Sequence, residues 1–150
     1  IYITTPYLIP DSTMIGALCT AARAGIDVRI ITPRIPDKKY AYALTRANYE
    51  ILIEAGVRIF EYVPGFIHAK TFWVDGEFAT VGTVNLDFRS LYLHFEDGVW
   101  MYKSDCLRDI ERDFEQTFAV SEEITLDFCR KTGRLTSLWR AVLRIFAPLM

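Results

Sequence analysis

Residues 21–31 read AARAGIDVRII, and residues 52–62 answer with LIEAGVRIFEY. In each stretch a helical run ends at a glycine and an apolar strand-like run follows at once. The glycine supplies the left-handed stop of a helix, and the short β-branched run after it suits a buried strand. Repetition of that unit calls for helices packed on a largely parallel sheet, because helix-linked crossovers favour one hand. An α/β fold is the arrangement this pattern demands.

Boundaries follow from caps and turns. Met14, Ile15, Leu18 and Ala22 recur at helical spacing, so a first helix is predicted over Ser12–Ala24, capped by Ser12 or Asp11 and stopped by Gly25. A strand is expected at Ile26–Ile31, then one helix from Asp37 to Ala55 with Ala43, Ala47 and Leu52 facing inward, then a strand at Val57–Phe60. Ile1–Ile3 reads as an opening strand. The middle changes character: Ile67–Val74 and Phe78–Val81 flank Asp75-Gly76, a strong hairpin signal. A further strand over Leu91–Met101 makes the predicted sheet mixed. Ser104 is the expected cap of a charged helix running to about Phe118. Residues 122–150 form an expected helical extension, with an amphipathic helix over Arg134–Phe146.

At 150 residues the chain suffices for one domain with a real core, and its 51% apolar and 14% aromatic content excludes general disorder. A formal charge of -2 argues against a dedicated nucleic-acid binder. Cys19, Cys106 and Cys129 form neither a CxxC pair nor a metal-ligand cluster, so small buried thiols in a reducing compartment are expected. No apolar run approaches the roughly 18 residues of a membrane span. The chain starts inside a strand, without Met or a signal peptide, and is expected to be cut from something longer.

The chemistry concentrates in HAKTFWVDGEFATVGTVN, an H-x-K-x4-D-x6-G-x2-N pattern carried by His68, Lys70, Asp75, Gly82 and Asn85. On a strand, His68 and Lys70 share a face. An imidazole beside a fixed cation suits a phosphoryl group, whose transfer spreads charge over several oxygens. Asn85 can donate its amide to a phosphate oxygen, and Gly82 permits close backbone approach or an unusual dihedral. Asp75, within the Asp-Gly turn, suits a structural acceptor better than a proton carrier. Tyr92, His94, Glu96 and Gly98 alternate, and a strand beside the one carrying His68 would let Glu96 accept the second imidazole N–H and fix its tautomer. Asp87 and Arg89 are expected to brace the loop by a mutual ion pair. Serine, cysteine or zinc hydrolase sites lack their necessary partners here.

These residues resemble the phospholipase D superfamily, and within it the carboxy-terminal catalytic half of bacterial cardiolipin synthases. ITTPYLIPD at 3–11, GTVNLDFRS at 82–90, LHFE at 93–96 and the terminal RIFAPLM carry the closer likeness. His94 stands where LNFE would place an asparagine. The resemblance implies a phospholipase D-like mixed β-sheet flanked by helices, one half of a pseudo-twofold catalytic unit, spanning 1–150 as the second repeat of a longer chain. It implies catalytic roles for His68, Lys70 and Asp75, with Asn85, Glu96 and Gly82 supporting and Glu96 orienting the motif histidine. No metal or other cofactor is implied.

The implied reaction is phosphatidyl transfer between two phosphatidylglycerols, giving cardiolipin and glycerol through a phosphohistidine. Family order makes His68 the general acid/base and gives the nucleophile to the amino-terminal half. Expected partners are anionic phospholipid substrates, a membrane surface, and the amino-terminal half of the parent chain or a second copy. The catalytic domain is expected at the cell membrane, facing the cytoplasm, with Arg134, Arg140, Arg144 and Trp139 suited to an anionic interface. Two alternatives stand beside this reading: a phosphodiesterase or nuclease acting as a homodimer, and a non-catalytic half-domain with a binding role. The residues by themselves support phosphodiester chemistry.

Overall fold

The computed structural model describes residues 1–131; the helix expected over Arg134–Phe146 lies outside them. The elements run β1 (Tyr2–Thr4), β2 (Leu8–Ile9), α1 (Ser12–Arg23), β3 (Arg29–Pro33), α2 (Lys39–Ala47), α3 (Tyr49–Glu54) and β4 (Arg58–Tyr62). There follow β5 (Thr71–Val74), β6 (Phe78–Gly82), β7 (Leu86–Asp87), α4 (Phe88–Tyr92), β8 (Gly98–Tyr102), α5 (Leu107–Ala119), β9 (Ser121–Ile124) and α6 (Leu126–Arg130). A seven-stranded sheet has the order β8-β6-β5-β1-β3-β4-β9, and β2 pairs with β7 beside it. Strands β1, β3 and β4 are parallel, whereas β5, β6, β8 and β9 join antiparallel. The sheet is mixed and covered by helices, as the sequence predicts.

Alternation along the strands builds two apolar layers. Ile3, Ile30 and Ile59 face Leu18 of α1 and Leu52 of α3 in one buried cluster. Their neighbours Ile31 and Phe60 face the other way, onto Phe114 and Phe118 of α5. Both faces of the parallel strands are therefore buried, which is why those strands read as unbroken apolar runs.

Local chemistry sets the boundaries. Asp11 caps α1 by accepting from the Met14 amide at 2.8 Å. Gly25 and Gly56 take φ of 90° and 102° after their helices. Asp75 and Gly76 take φ of 54° and 70°, and the Glu77 amide donates back to the Val74 carbonyl at 3.0 Å. That left-handed turn matches the right-handed twist of the hairpin strands β5 and β6.

Four expectations are corrected. The single helix over Asp37–Ala55 is broken at Asn48, whose side-chain amide donates to the Leu8 carbonyl at 3.0 Å across 40 residues. The strand over Leu91–Met101 begins only at Gly98, because α4 and a non-repetitive segment occupy the residues before it. The ladder around His68 begins at Thr71, because its partner β1 ends with Thr4 opposite Thr71. Finally, α5 starts at Leu107, and Ser104 contributes its carbonyl rather than a side-chain cap. A short polar strand, β9, adds an edge that the sequence reading lacks.

A buried charge pair joins α2 to β4. Glu61 is fully buried, and Arg46 meets it with two hydrogen bonds of 2.8 and 2.6 Å. The Tyr49 hydroxyl donates to the same carboxylate at 3.1 Å and lies 2.7 Å from Thr32 Oγ1. A buried carboxylate needs such satisfaction, since removing one partner would strand its charge. The network anchors α2, whose first residues border the site described next. Among the described residues, no helix is long and apolar enough to cross a membrane.

Candidate active site

His68 and Lys70 immediately precede β5, and one ladder-like bond persists there, from the Gly82 amide to the Lys70 carbonyl at 3.2 Å. The Lys70 ammonium donates to the His68 carbonyl at 2.7 Å and stands 3.0 and 3.1 Å from the two ring nitrogens. Phe66 packs beside the imidazole, ring centroids 5.4 Å apart. His68 is exposed and Lys70 half-buried. An imidazole and an ammonium thus converge on one point at the surface.

Their electrostatics follow from that geometry. Desolvation, and then the Lys70 charge, lower the pKa of His68 and favour its neutral form. Desolvation also lowers the pKa of Lys70, opposed by the nearby carboxylates of Glu96, Asp87 and Asp37. The net shift is downward, and the three acids offset part of the loss of solvent.

Asn85 lies between β6 and β7, and its amide donates to the Ser90 hydroxyl at 3.1 Å. Its Oδ1 is buried and lacks a hydrogen-bond partner, the one such side-chain atom among the described residues. Gly82 meets its partner strand closely: a Cβ there would lie 2.3 Å from the Asp97 carbonyl oxygen and 2.6 Å from Gly98 Cα. Close approach, rather than an unusual dihedral, is therefore what requires glycine at 82. Asp75 sits in the turn at the opposite end of β5 from Lys70. The structure gives it a place in the hairpin and does not bring it to His68.

Glu96 is placed differently from the sequence expectation. It accepts a short hydrogen bond from the Thr83 hydroxyl, and no hydrogen bond joins it to His68. That bond lowers the Glu96 pKa, and the carboxylate stays ionised. The cause is the missing strand: residues 93–97 do not alternate beside β5 but run past Thr83, where the Asp97 amide also donates to Thr83 Oγ1 at 2.9 Å. His94 Nδ1 stands 4.0 Å from Glu96 Oε1. Asp87 likewise departs from expectation. It caps α4 by accepting from the Ser90 amide at 2.7 Å, and no ion pair links it to Arg89.

A cavity of about 390 Å³ opens beside this pair. Tyr7, Ile9, Lys38, Tyr40 and Ala41 line one part, and six residues from Asn85 to Glu96 line the rest. Asn85 and Glu96 are in its wall; His68 and Lys70 are not, although Glu96 and Asp87 act electrostatically on Lys70. Sequence reading missed Thr83, Ser90, Lys38 and the tyrosines Tyr7 and Tyr40. Among the described residues, no group of three His, Cys, Asp or Glu side chains could hold a metal ion.

A family described as "Cardiolipin synthase, PLD-like domain" matches residues 1–118. The chain belongs to this family. Over 150 residues it is 39% identical to cardiolipin synthase 2 of Bacillus anthracis, covering 100% of this chain and 29% of that protein. It is 38% identical to the cardiolipin synthase of Geobacillus kaustophilus, covering 100% of this chain and 30% of the relative. The chain thus spans about three tenths of the length of these curated relatives. Among solved structures, Nuc of Salmonella typhimurium, a phospholipase D family member, superposes with a TM-score of 0.70 at 15% identity, covering 81% of this chain and 79% of that one. Phosphatidylserine synthase of Haemophilus influenzae gives 0.72 at 21% identity, covering 99% and 39%. At such identities these two neighbours speak for the fold, which is the phospholipase D-like mixed α/β arrangement.

Proposed function

We propose that this chain is the carboxy-terminal catalytic half of a phosphatidyltransferase that joins two phosphatidylglycerols into cardiolipin and glycerol. The observation that carries the proposal is the convergence of Lys70 Nζ on the His68 ring at 3.0 and 3.1 Å. Within the cardiolipin synthase family, that pair has a natural task at a lipid phosphodiester.

One motif supplies one imidazole and one ammonium, whereas double displacement at phosphorus calls for two histidines. The amino-terminal half of the parent chain provides the second. Its histidine attacks the donor phosphorus, and the P–O bond to the headgroup glycerol breaks. His68, as the imidazolium, gives its proton to the departing oxygen. Neutral His68 then takes the proton of the acceptor's glycerol hydroxyl, that oxygen bonds to phosphorus, and the P–N bond breaks. Lys70 and the Asn85 amide stabilise the charge on the equatorial oxygens. Glu96, ionised near Lys70, favours the charged form of the ammonium through space. Asp75 serves through the hairpin, and Gly82 through the close strand approach. No metal or other cofactor takes part. The site works at the membrane surface, from the cytoplasmic side.

His68→Ala in the parent chain tests this reading with labelled phosphatidylglycerol vesicles, scoring cardiolipin and glycerol. We expect a loss of roughly 10²–10⁴-fold, the range of an acid/base group, with the circular dichroism and melting point retained. Undiminished cardiolipin formation would remove His68 from its role. A second reading has one observation in its favour: the chain covers 79% of Nuc, so a unit of this size can make up most of a family member. It predicts phosphodiester cleavage by two copies of this chain alone, without lipid transfer by the parent.

A further inference from the structure

The cavity beside His68 and Lys70 carries charge that the reacting pair does not use. At about 390 Å³ it lies within the roughly 300–1,000 Å³ typical of small-molecule sites, larger than one phosphoryl group needs. Tyr7, Ile9 and Tyr40 give it apolar surface, and Lys38 and Arg89 give it two cations from separate parts of the chain. Both cations are exposed, and neither forms an ion pair among the described residues. The Lys38 ammonium lies 5.8 Å from the centre of the Tyr7 ring.

The acids around this space are otherwise engaged. Asp87 caps α4, Glu96 accepts from Thr83, and Asp37 accepts from the Tyr7 hydroxyl and the Lys38 amide. His94 borders Glu96. None of these carboxylates pairs directly with the Lys38 or Arg89 side chain, so both cations stay open to a group that enters the cavity. The phosphorus under attack sits at His68, Lys70 and Asn85, and Asn85 is in this wall, so the cavity opens onto the reacting site. Its volume exceeds what one phosphoryl group fills, which leaves room for a second anion at Lys38 and Arg89.

We propose that the cavity is the acceptor-headgroup subsite, in which Lys38 and Arg89 hold the phosphodiester anion of the incoming phospholipid while its free glycerol hydroxyl is turned toward His68. The inference rests on the phosphatidyl-transfer reading above. It explains why two cations stand apart from the reacting pair. A glycerol or water acceptor carries no charge and has no use for them. A phospholipid acceptor brings a second phosphate close to the first, and a separate clamp offsets their repulsion. Tyr7 and Tyr40 offer ring surface and hydroxyls to the glycerol portion.

The test uses the full parent chain and two reactions that share one donor. Phosphatidylglycerol vesicles report cardiolipin formation, and the same vesicles with labelled glycerol report headgroup exchange into a neutral acceptor. In the Lys38→Gln, Arg89→Gln double variant, we expect the ratio of cardiolipin formation to glycerol exchange to fall about tenfold or more, mainly through a raised apparent KM for phosphatidylglycerol. Lys38→Arg with Arg89→Lys should restore most of the ratio. An unchanged ratio, whether both rates fall or neither does, would overturn the subsite. A wild-type parent that transfers to neither acceptor would instead refute the phosphatidyl-transfer reading itself, and the subsite with it.

Discussion

The two flanks of the large sheet differ in how much of themselves they bury. On the β3–β4 flank, Ile30 and Ile59 are wholly buried between α1 and α3, while Ile31 and Phe60 meet α5 on the opposite face. On the β6–β8 flank, Val99 and Trp100 are 62% and 71% exposed, and Phe78, Trp100 and Tyr102 stack mainly on one another. His68, Lys70, Thr83 and Glu96 all sit on or beside strands of the second flank. The comparison teaches a division of labour. Fixed packing on one side holds the sheet, and the reacting groups occupy the side that packing constrains least.

Deleting core atoms is the strongest way to break that contrast. Ile59→Ala should cost about 2–5 kcal/mol in urea unfolding, because the surrounding helices cannot close the hole. Gly82→Ala sharpens the contrast at a point where backbone, not side chain, is crowded. A Cβ 2.3 Å from the Asp97 carbonyl oxygen must push β8 away, at a cost of about 1–3 kcal/mol in the same measurement. A cost below a few tenths would mean that the strand approach is looser than described.

The next expectation concerns charge. Lys70 disfavours the imidazolium of His68, so Lys70→Gln should move the His68 titration in NMR to higher pH. The acid limb of any activity that needs neutral His68 should move the same way. A downward movement would contradict the placement of the ammonium. Smaller still is the Arg58–Glu123 pair, with its 2.8 Å bonds between β4 and β9. Arg58 lowers the pKa of Glu123, so the pair's contribution is present above the ordinary carboxylate range and lost as pH falls through the lowered value. Being largely solvated, it should show a coupling of about 0.2–1 kcal/mol in a double-mutant cycle. Trp100→Ser closes the series: on this exposed edge strand it should change the stability of the chain by less than about 0.5 kcal/mol. A loss as large as that of Ile59→Ala would erase the distinction between the flanks.

Much of the fold is legible in the residues because local and tertiary preferences agree. The Asp11 cap, the glycines after α1 and α3, and the Asp-Gly hairpin each specify their element without outside help. The failures share a physical cause. Asn48 interrupts a helical pattern because its amide reaches Leu8, a partner far along the chain. Tyr92, His94, Glu96 and Gly98 alternate like a strand, yet the Asp87 side chain caps α4, which takes Tyr92 into a helix, and the strand starts only at Gly98. Glu96 therefore meets Thr83 instead of His68. His68, Lys70 and Asn85 are legible as a chemical set through their spacing. Lys38 and Arg89 are not, because only the folded chain brings residues 38 and 89 to one cavity.

The facing glycines at the ends of β6 and β8 have a further consequence. Gly82 pairs with Gly98, and the strands come close enough there that the Thr83 amide donates to the Asp97 carbonyl at 2.8 Å. The carboxylate next door is therefore located by a main-chain hinge pin rather than by a swinging arm. Leu93 and Phe95, which project into solvent just ahead of that pin, are free to be exchanged for other shapes. The doorway can thus be remodelled for a new visitor while the machinery behind it keeps its spacing.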